Sequence, residues 1–357
     1  MNDQGNNFLV KGEYTKADED FSQALQSAQR SKALRNEARA RASLGSLRLR
    51  QNNVDEAVRY LEPALAFYQQ GGYRSEASMC LLLLARANRQ RGDYDAAFSS
   101  NAQILQLGEQ VNDQSQIALA HSEMANVLVR QEKYPEALEH FGKAYQIYNS
   151  QGIPRSIAYN LEGRGEALAQ LGRYAEAQTL LDQAAAIADK PGAEIKPLSV
   201  AIMLVEAQSA LSAGRFPEAK TRAEKVREAA GTEFKEDATG AQIVIGLAES
   251  YNGATAAGKQ TLTTAVEMAK QLNDPAKLAS AQLALAIASL LAGDSRAAAS
   301  NALAAEEVFA RLGQPASDWQ ALLIAAQASQ NLGDKTKARE YAMRATETFS
   351  KLEQRWG

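Results

Sequence analysis

Small side chains recur along the chain at a nearly constant interval, and they define the predicted helices. One column, here called the anchor column, has alanine or glycine at nine positions, with six spacings of 40, one of 42 and one of 39. A second column lies twelve residues before each anchor, and a third lies seven residues after it. Small residues in register allow two helix backbones to approach closely, so the pattern predicts nine helix-turn-helix units. The anchor column is Ala17, Ala57, Ala97, Ala137, Ala177, Ala219, Gly258, Ala298 and Ala338. The second column is Gly5, Gly45, Ala85, Ala125, Gly165, Ala207, Gly246, Ala286 and Ala326, and the third is Ala24, Ala64, Ile104, Ala144, Ala184, Val226, Ala265, Ala305 and Ala345.

Turn signals separate these columns at the spacing that paired helices require. Pairs such as Gly92-Asp93 and Gly172-Arg173 stand between the second column and the anchor, where a glycine supplies the positive φ that ends a helix. A second set of breakers, such as Gly71-Gly72 and Asn112-Asp113, joins one unit to the next. An aromatic residue often stands three positions before the anchor, where we expect it to fill the space between the paired helices. The aromatic residues at this position are Tyr14, Tyr94, Tyr134, Tyr174 and Phe216.

Composition agrees with an all-α protein and excludes several classes of function. Helix formers abound, Pro is limited to 8 residues, and no period-two runs of β-branched residues predict a sheet. The net charge of −3 argues against direct nucleic-acid binding, which needs a basic surface. Cys80 is the only cysteine, so an intrachain disulfide is impossible. Neither a signal peptide nor a stretch of about 20 apolar residues is visible, so we expect a cytoplasmic protein with no membrane contact.

The columns, the Gly-x-Tyr turn and the following alanine resemble the tetratricopeptide repeat (TPR) family over nearly the whole chain. This resemblance implies a right-handed α-solenoid of about nine tandem TPR units, with 40 residues per unit instead of the usual 34. An armadillo or HEAT solenoid shares the period but does not explain the columns of small residues. We expect units 1–5 in residues 1–190, a Pro-containing break at 191–197, and units 6–9 in residues 198–357. The first unit looks truncated and a C-terminal cap looks missing, which suggests a fragment of a longer protein.

The resemblance also implies an inner face formed by the first helix of each pair. Its positions lie 18, 15, 11, 8 and 7 residues before the anchor, which places them on one broad helix face. Units 2 to 4 have five arginines and no acid at these positions. The candidate partner-binding residues are Asn6, Arg39, Ser46, Arg50, Arg86, Arg89, Gln90, Ser122, Asn126, Arg130, Glu162 and Glu166.

Two interpretations of the inner-face arginines remain open. They could bind the carboxylates of an acidic peptide, since arginine forms bidentate pairs with carboxylates, or they could pair with glutamates of neighbouring units. Asn6 and Asn126 stand in the phase of the asparagines that hold a peptide backbone in the family, although two of nine units keep this residue.

The back half has an apolar inner face instead. An amphipathic helix, another part of the parent protein or a second copy of the chain could cover it, or tight coiling of the solenoid could bury it. The residues of this possible apolar subsite are Leu204, Ile243, Leu247, Leu283 and Ile287.

Residues that could perform chemistry have simpler structural interpretations. The segment from Gly253 to Thr261 nearly matches a phosphate-binding loop, but Gln260 stands where that loop needs Ser or Thr, and Gly258 belongs to the anchor column. The two histidines, His121 and His140, lack partners at metal-ligand spacing, and Cys80 lies among apolar residues. We therefore predict no enzyme activity, no metal and no cofactor.

The sequence predicts a scaffold that binds a partner protein or peptide in the groove of the solenoid, with a basic front half and an apolar back half. An alternative is a sensor module that responds to a peptide or another ligand and regulates an attached enzyme or DNA-binding domain. The oligomeric state is left open.

Overall fold

The computed structural model describes residues 2–10, 13–192 and 194–356, and this part of the chain forms 18 α-helices and no β-strand. Consecutive helices pack against each other from α1 to α6 and from α8 to α18, which confirms the all-α solenoid of TPR type. Odd-numbered helices are called A helices and even-numbered ones B helices. Their bounds are α1 (Asn2–Val10), α2 (Tyr14–Arg30), α3 (Leu34–Arg50), α4 (Val54–Gln70), α5 (Arg74–Gln90), α6 (Tyr94–Val111), α7 (Gln114–Arg130), α8 (Tyr134–Gln151), α9 (Pro154–Gln170), α10 (Tyr174–Ala188), α11 (Lys196–Ser212), α12 (Phe216–Ala230), α13 (Lys235–Tyr251), α14 (Thr255–Lys270), α15 (Pro275–Leu291), α16 (Ser295–Leu312), α17 (Pro315–Asn331) and α18 (Lys335–Trp356).

The chain divides into two compact units, Met1–Val127 and Leu128–Gly357. The segment from Pro191 to Pro197, where we expected a break, belongs to the second unit; Lys196 and Pro197 begin α11, and the described residues before them lie between α10 and α11. Ile195, between these two helices, is buried, and its amide donates to the carbonyl oxygen of Ala188 at 2.7 Å. The division at 191–197 stays a prediction.

The predicted columns of small residues form the contacts within the helix pairs. All nine anchor residues are buried, and so are all nine residues of the second column. The third column is buried at eight positions, and Ala24 in the first pair is partly exposed. Side chains this small allow the A and B helices to pack backbone against backbone, and the apolar stripe of each helix is buried by its neighbours in the stack.

The turns use positive φ angles where the sequence predicted breakers. Gly92 and Gly172 have φ of 84° and 74°, and Asn112 adopts φ of 54° at a junction between pairs. Glycine enters this left-handed region without steric penalty, and asparagine enters it more readily than most residues. Glu132 stands 40 residues after Gly92, at the same position of the next repeat, and its φ is also positive, at 56°.

The pair α13–α14 has glycine in both columns, at Gly246 and Gly258. A Cβ on Gly258 would lie 2.6 Å from the carbonyl oxygen of Gly246 and 2.9 Å from the amide nitrogen of Ser250. The Gly258 amide donates to the carbonyl oxygen of Ala254 within α14, and Lys259 pairs with Asp294 at 2.5 Å. The segment that resembles a phosphate-binding loop is therefore a helix start with its glycine in the packing contact.

Within the second unit, the turn between α7 and α8 contacts the start of α17, 184 residues later in the chain. The Glu132 carboxylate accepts hydrogen bonds from the amides of Ala316 and Ser317, at 2.5 and 3.2 Å, and from the Ser317 hydroxyl at 2.5 Å. The N-cap residue of α17, Gln314, makes no side-chain cap and instead donates to the carbonyl oxygen of Arg130 at 2.7 Å. Glu132 therefore caps α17 from a distant part of the chain.

A ring contact extends this junction. Tyr134, at the start of α8, is buried, and its ring centroid lies 5.6 Å from that of Trp356 at the end of α18. Burial raises the pKa of Glu132 from its usual value, because a charged carboxylate loses hydration there, while the bonds from Ser317 and Ala316 oppose this rise. These contacts connect the α7–α8 turn and the start of α8 to α17 and α18, the last two helices of the second compact unit.

None of the helices in the described ranges is long and apolar enough to cross a lipid bilayer.

The close packing around Gly258 predicts that alanine lowers the stability of the protein at this helix position. Alanine normally stabilises a helix interior relative to glycine by about 0.5–1 kcal/mol, and we expect this gain for Gly142→Ala, because a Cβ at Gly142 meets no atom within 4 Å. We expect Gly258→Ala to lower the free energy of unfolding by about 1–3 kcal/mol, because the new methyl group meets fixed backbone atoms. Urea unfolding of both variants measures the difference, and equal stabilisation by the two substitutions would contradict the packing described.

The cap supplied by Glu132 gives a second prediction. We expect Glu132→Ala to lower the free energy of unfolding by about 1–2 kcal/mol, since the amides at the start of α17 lose their acceptor. Glu132→Gly removes the same acceptor but relieves the left-handed backbone, so it should recover about 1 kcal/mol relative to alanine. Glu139→Ala, at an exposed site on α8, is the control. Amide hydrogen exchange should speed up in the first turn of α17 in both Glu132 variants, and unchanged exchange there would show that the cap does not hold α17.

Candidate functional site

The predicted inner-face residues of the first compact unit, Met1–Val127, include accessible polar side chains. Asn6, Arg39 and Arg50 are exposed, whereas Ser46, Arg89, Ser122 and Asn126 are partly buried. Arg50 lies at the C-terminal end of α3 and has no hydrogen-bond or ion-pair partner within the described ranges. Its guanidinium group is therefore available to an external carboxylate or phosphate group.

Two other candidates in the first unit contact the neighbouring helix pair. The Arg86 Nη2 atom lies 2.8 Å from Oε1 of Glu123, a residue on the next A helix. Gln90 donates to the side-chain oxygen of Asn52, which lies in the turn between α3 and α4. Arg86 nevertheless keeps 47% of its side chain exposed, so the pair with Glu123 leaves part of the guanidinium group accessible.

In the second unit, Arg130 connects the end of α7 to the starts of two later A helices. Its Nη2 atom lies 2.6 Å from Oε1 of Glu236 on α13, and its Nη1 atom lies 3.6 Å from Oδ2 of Asp274, the N-cap residue of α15. Lys277 reaches the same Glu236 oxygen at 3.8 Å. The positive charge of Arg130 is thus largely satisfied within the protein.

Among the predicted partner-binding residues, Glu162 has a strongly raised pKa. Part of its surface reaches solvent, but protein surrounds the carboxyl group closely, and the resulting loss of hydration raises its pKa to about 8, with the charges of Glu166 and Asp237 adding to the rise. Burial also raises the pKa of Asp237 to about 6; Glu236 adds to this rise, and the positive charges of Lys277 and Arg130 oppose it. The carboxyl group of Glu162 has no hydrogen-bond or ion-pair partner elsewhere in the described chain. The three carboxyl groups of Glu162, Glu166 and Asp237, here called the acidic cluster, would be stabilised by a cation.

The predicted apolar subsite is largely packed against other helices. Leu204 and Leu283 are buried, and a Cβ on Gly240 of α13 would lie 2.8 Å from Leu204. Ile243, Leu247 and Ile287 are partly buried and pack against core clusters of α14 to α17. These side chains stabilise the stack and leave only part of their surface for a partner.

The acidic residues at the N-terminal ends of the later A helices were not among the predicted site residues. Asp237 lies 21 residues before its anchor, which is outside the offsets that define the inner face. The role of Glu132 had a visible signal, because it stands where neighbouring units have glycine or asparagine and a glutamate rarely adopts positive φ.

The other candidates for chemistry are Cys80 and the two histidines. Cys80 is buried among Ala38, Ala64, Tyr68 and Ala77, and burial raises the pKa of its thiol to about 12, which confirms it as a small core residue. Burial lowers the pKa of His140. No group of three or more His, Cys, Asp or Glu side chains in the described part of the chain has an arrangement that could hold a metal ion.

Solved structures with this fold include three that match nearly the whole chain. A Rap protein complexed with competence and sporulation factor is 15% identical, with a TM-score of 0.71, over 99% of this chain and 98% of that chain. The Rap conjugation gene regulator of plasmid pLS20, in complex with the Phr* peptide, is 14% identical, with a TM-score of 0.67, over 94% and 95%. The apo form of the quorum sensor NprR from B. thuringiensis is 9% identical, with a TM-score of 0.62, over 97% of both chains. At these identities the likeness concerns the fold.

Family models described as tetratricopeptide repeat match residues 2–72, 76–150, 116–190 and 320–350. These matches cover both compact units and fall on the helix pairs whose small-residue columns are buried. The chain therefore belongs to the tetratricopeptide repeat family.

Proposed function

We propose that this protein binds a peptide, or a short segment of a partner protein, along the inner face of its A helices and performs no catalysis. The observation that carries this proposal is the acidic cluster, in which Glu162 holds a carboxyl group with a raised pKa and no partner of its own. Placing like charges together on a partly desolvated surface costs free energy, and a bound cationic group would offset that cost.

The register of the fold supports a ligand at this position. Glu162 and Glu166 lie 15 and 11 residues before the anchor Ala177, which are inner-face positions of the TPR family. Two solved structures with the same fold are complexes, one with competence and sporulation factor and one with the Phr* peptide. We therefore propose a peptide whose lysine, arginine or free amino terminus contacts the acidic cluster.

The first compact unit, considered by itself, offers a contact of opposite charge. Arg50 is exposed and without a partner among the described residues, and Arg86 is half exposed beside Glu123. We propose that carboxylates of a ligand pair with these arginines, as we expected from the sequence. The apolar back half is proposed as a smaller contribution, because Leu204 and Leu283 are already buried in helix contacts.

The role of the acidic cluster is testable with a random synthetic peptide library on beads. We expect wild-type protein to select peptides that contain lysine or arginine, and Glu162→Gln to weaken binding of the selected peptides by about ten- to a hundredfold, the range for a charged hydrogen bond. Wild-type affinity should increase as the pH rises through about 8, since Glu162 then loses its proton and the lysine ammonium remains charged. The Gln variant should lose this pH dependence.

A matched control makes the outcome specific. Glu139→Gln removes one carboxylate from an exposed site on α8 of the same unit, and we expect it to bind the selected peptides like wild type. If the library yields no peptide, or if the Glu139 and Glu162 variants bind equally well, the inner face of the second unit is not the site.

The alternative of a ligand-responsive sensor remains a second proposal, because one structure with this fold is described as a quorum sensor and another as a conjugation gene regulator. We expect a selected peptide to change the radius of gyration of the protein in small-angle X-ray scattering if the chain is a sensor. An unchanged radius at saturating peptide would favour a rigid scaffold.

A further inference from the structure

The last described helix, α18, has an exposed stripe distinct from the face that it packs against the core. Its buried residues Ala338, Ala345 and Leu352 lie on one side. At 100° per residue, residues three and four positions apart form a second stripe on α18, centred roughly 80° around the helix from the buried side. It consists of Arg339, Ala342, Thr346, Phe349 and Glu353, with Met343 and Ser350 at its edge.

The central part of the same stripe is buried one repeat earlier. Ala302 and Phe309 of α16 correspond to Ala342 and Phe349 of α18, 40 residues later. Both α16 residues lie in core clusters with residues of α17, and Phe309 is 1% exposed. Phe349 is 42% exposed, although its ring contacts Trp319 at 5.2 Å, and Met343 is 73% exposed. The stripe therefore has the residue types of a helix-packing surface and lacks a covering helix in the described chain.

The charges at the two ends of the stripe are self-complementary. If two copies of α18 pack antiparallel about Thr346, residue 339 of one copy faces residue 353 of the other, and residue 343 faces residue 349. This places Arg339 against Glu353 twice and Met343 against Phe349 twice. Arg339 and Glu353 are both exposed, and neither has a hydrogen-bond or ion-pair partner in the part of the chain that the structure describes.

We propose that the α18 stripe is a dimerisation surface on which a second copy of this chain packs antiparallel, with Thr346 of both copies at the two-fold axis. One helix pair buries less area than the roughly 1,200 Å² of a standard stable interface, so the dimer is weak and forms as concentration rises. This contact is separate from the inner face, so it depends neither on the acidic cluster nor on peptide binding.

Charge reversal tests the pairing, because an antiparallel two-fold contact makes a specific pattern of rescue. Sedimentation velocity over a micromolar concentration series should show wild type converting from monomer to dimer. We expect Arg339→Glu and Glu353→Arg each to weaken dimerisation about tenfold or more, because each replaces two attractive contacts with two repulsive ones. An equimolar mixture of the two variants, and the double variant R339E/E353R, should dimerise like wild type.

Two further variants separate the surface from general effects of charge. Glu340→Arg changes an exposed charge on a third face of α18 and should leave the dimer unchanged. Met343→Lys places a charge at the edge of the contact, opposite Phe349 of the other copy, without removing core packing, and it should give a monomer. Circular dichroism checks that all variants stay folded. Wild type that stays monomeric, or a dimer that survives both single reversals, would overturn the proposal, since another occupant or surface must then be used.

Discussion

The close contact between paired helices is the constraint on which the rest of this structure depends. Glycine or alanine in two facing columns lets each A helix approach its B helix, and the α13–α14 pair shows the limit, because Gly258 leaves no room for a methyl group beside the Gly246 carbonyl. Packing at this distance fixes the rotation of each helix about its axis. That rotation decides which residues of each A helix contact neighbouring helices and which stay accessible.

The second unit adds a constraint that no single repeat contains. Glu132 replaces the usual turn glycine, adopts positive φ, and uses its carboxylate to cap α17, while Tyr134 contacts Trp356. A non-glycine residue in the left-handed region costs about 1–2 kcal/mol, so it persists where surrounding contacts compensate. The three hydrogen bonds to Ala316 and Ser317 supply that compensation, and they tie the beginning of the unit to its end.

Features that depend on one repeat were predictable from the sequence, and features that depend on several repeats were not. The helix pairs followed from the columns, because the spacing of Ala97 and Ala137 is local information. The pair of Arg86 with Glu123 was one of two interpretations left open, since it joins residues 37 positions apart on adjacent A helices. The approach of Asp237 to Glu162, and the cap from Glu132 to α17, depend on how far the helix stack turns over several units. Small rotations between neighbouring helix pairs add up over several repeats, and the spacing of residues in the sequence does not specify them.

The measurement that tests the functional account most directly is hydrogen–deuterium exchange of the protein with and without a peptide selected from a random library. The account predicts slower exchange in α9 and α13, whose inner faces form the acidic cluster, and no change on the outer surfaces of the B helices. Protection confined to B helices, or exchange that the peptide leaves unchanged throughout, would contradict ligand binding on the inner face.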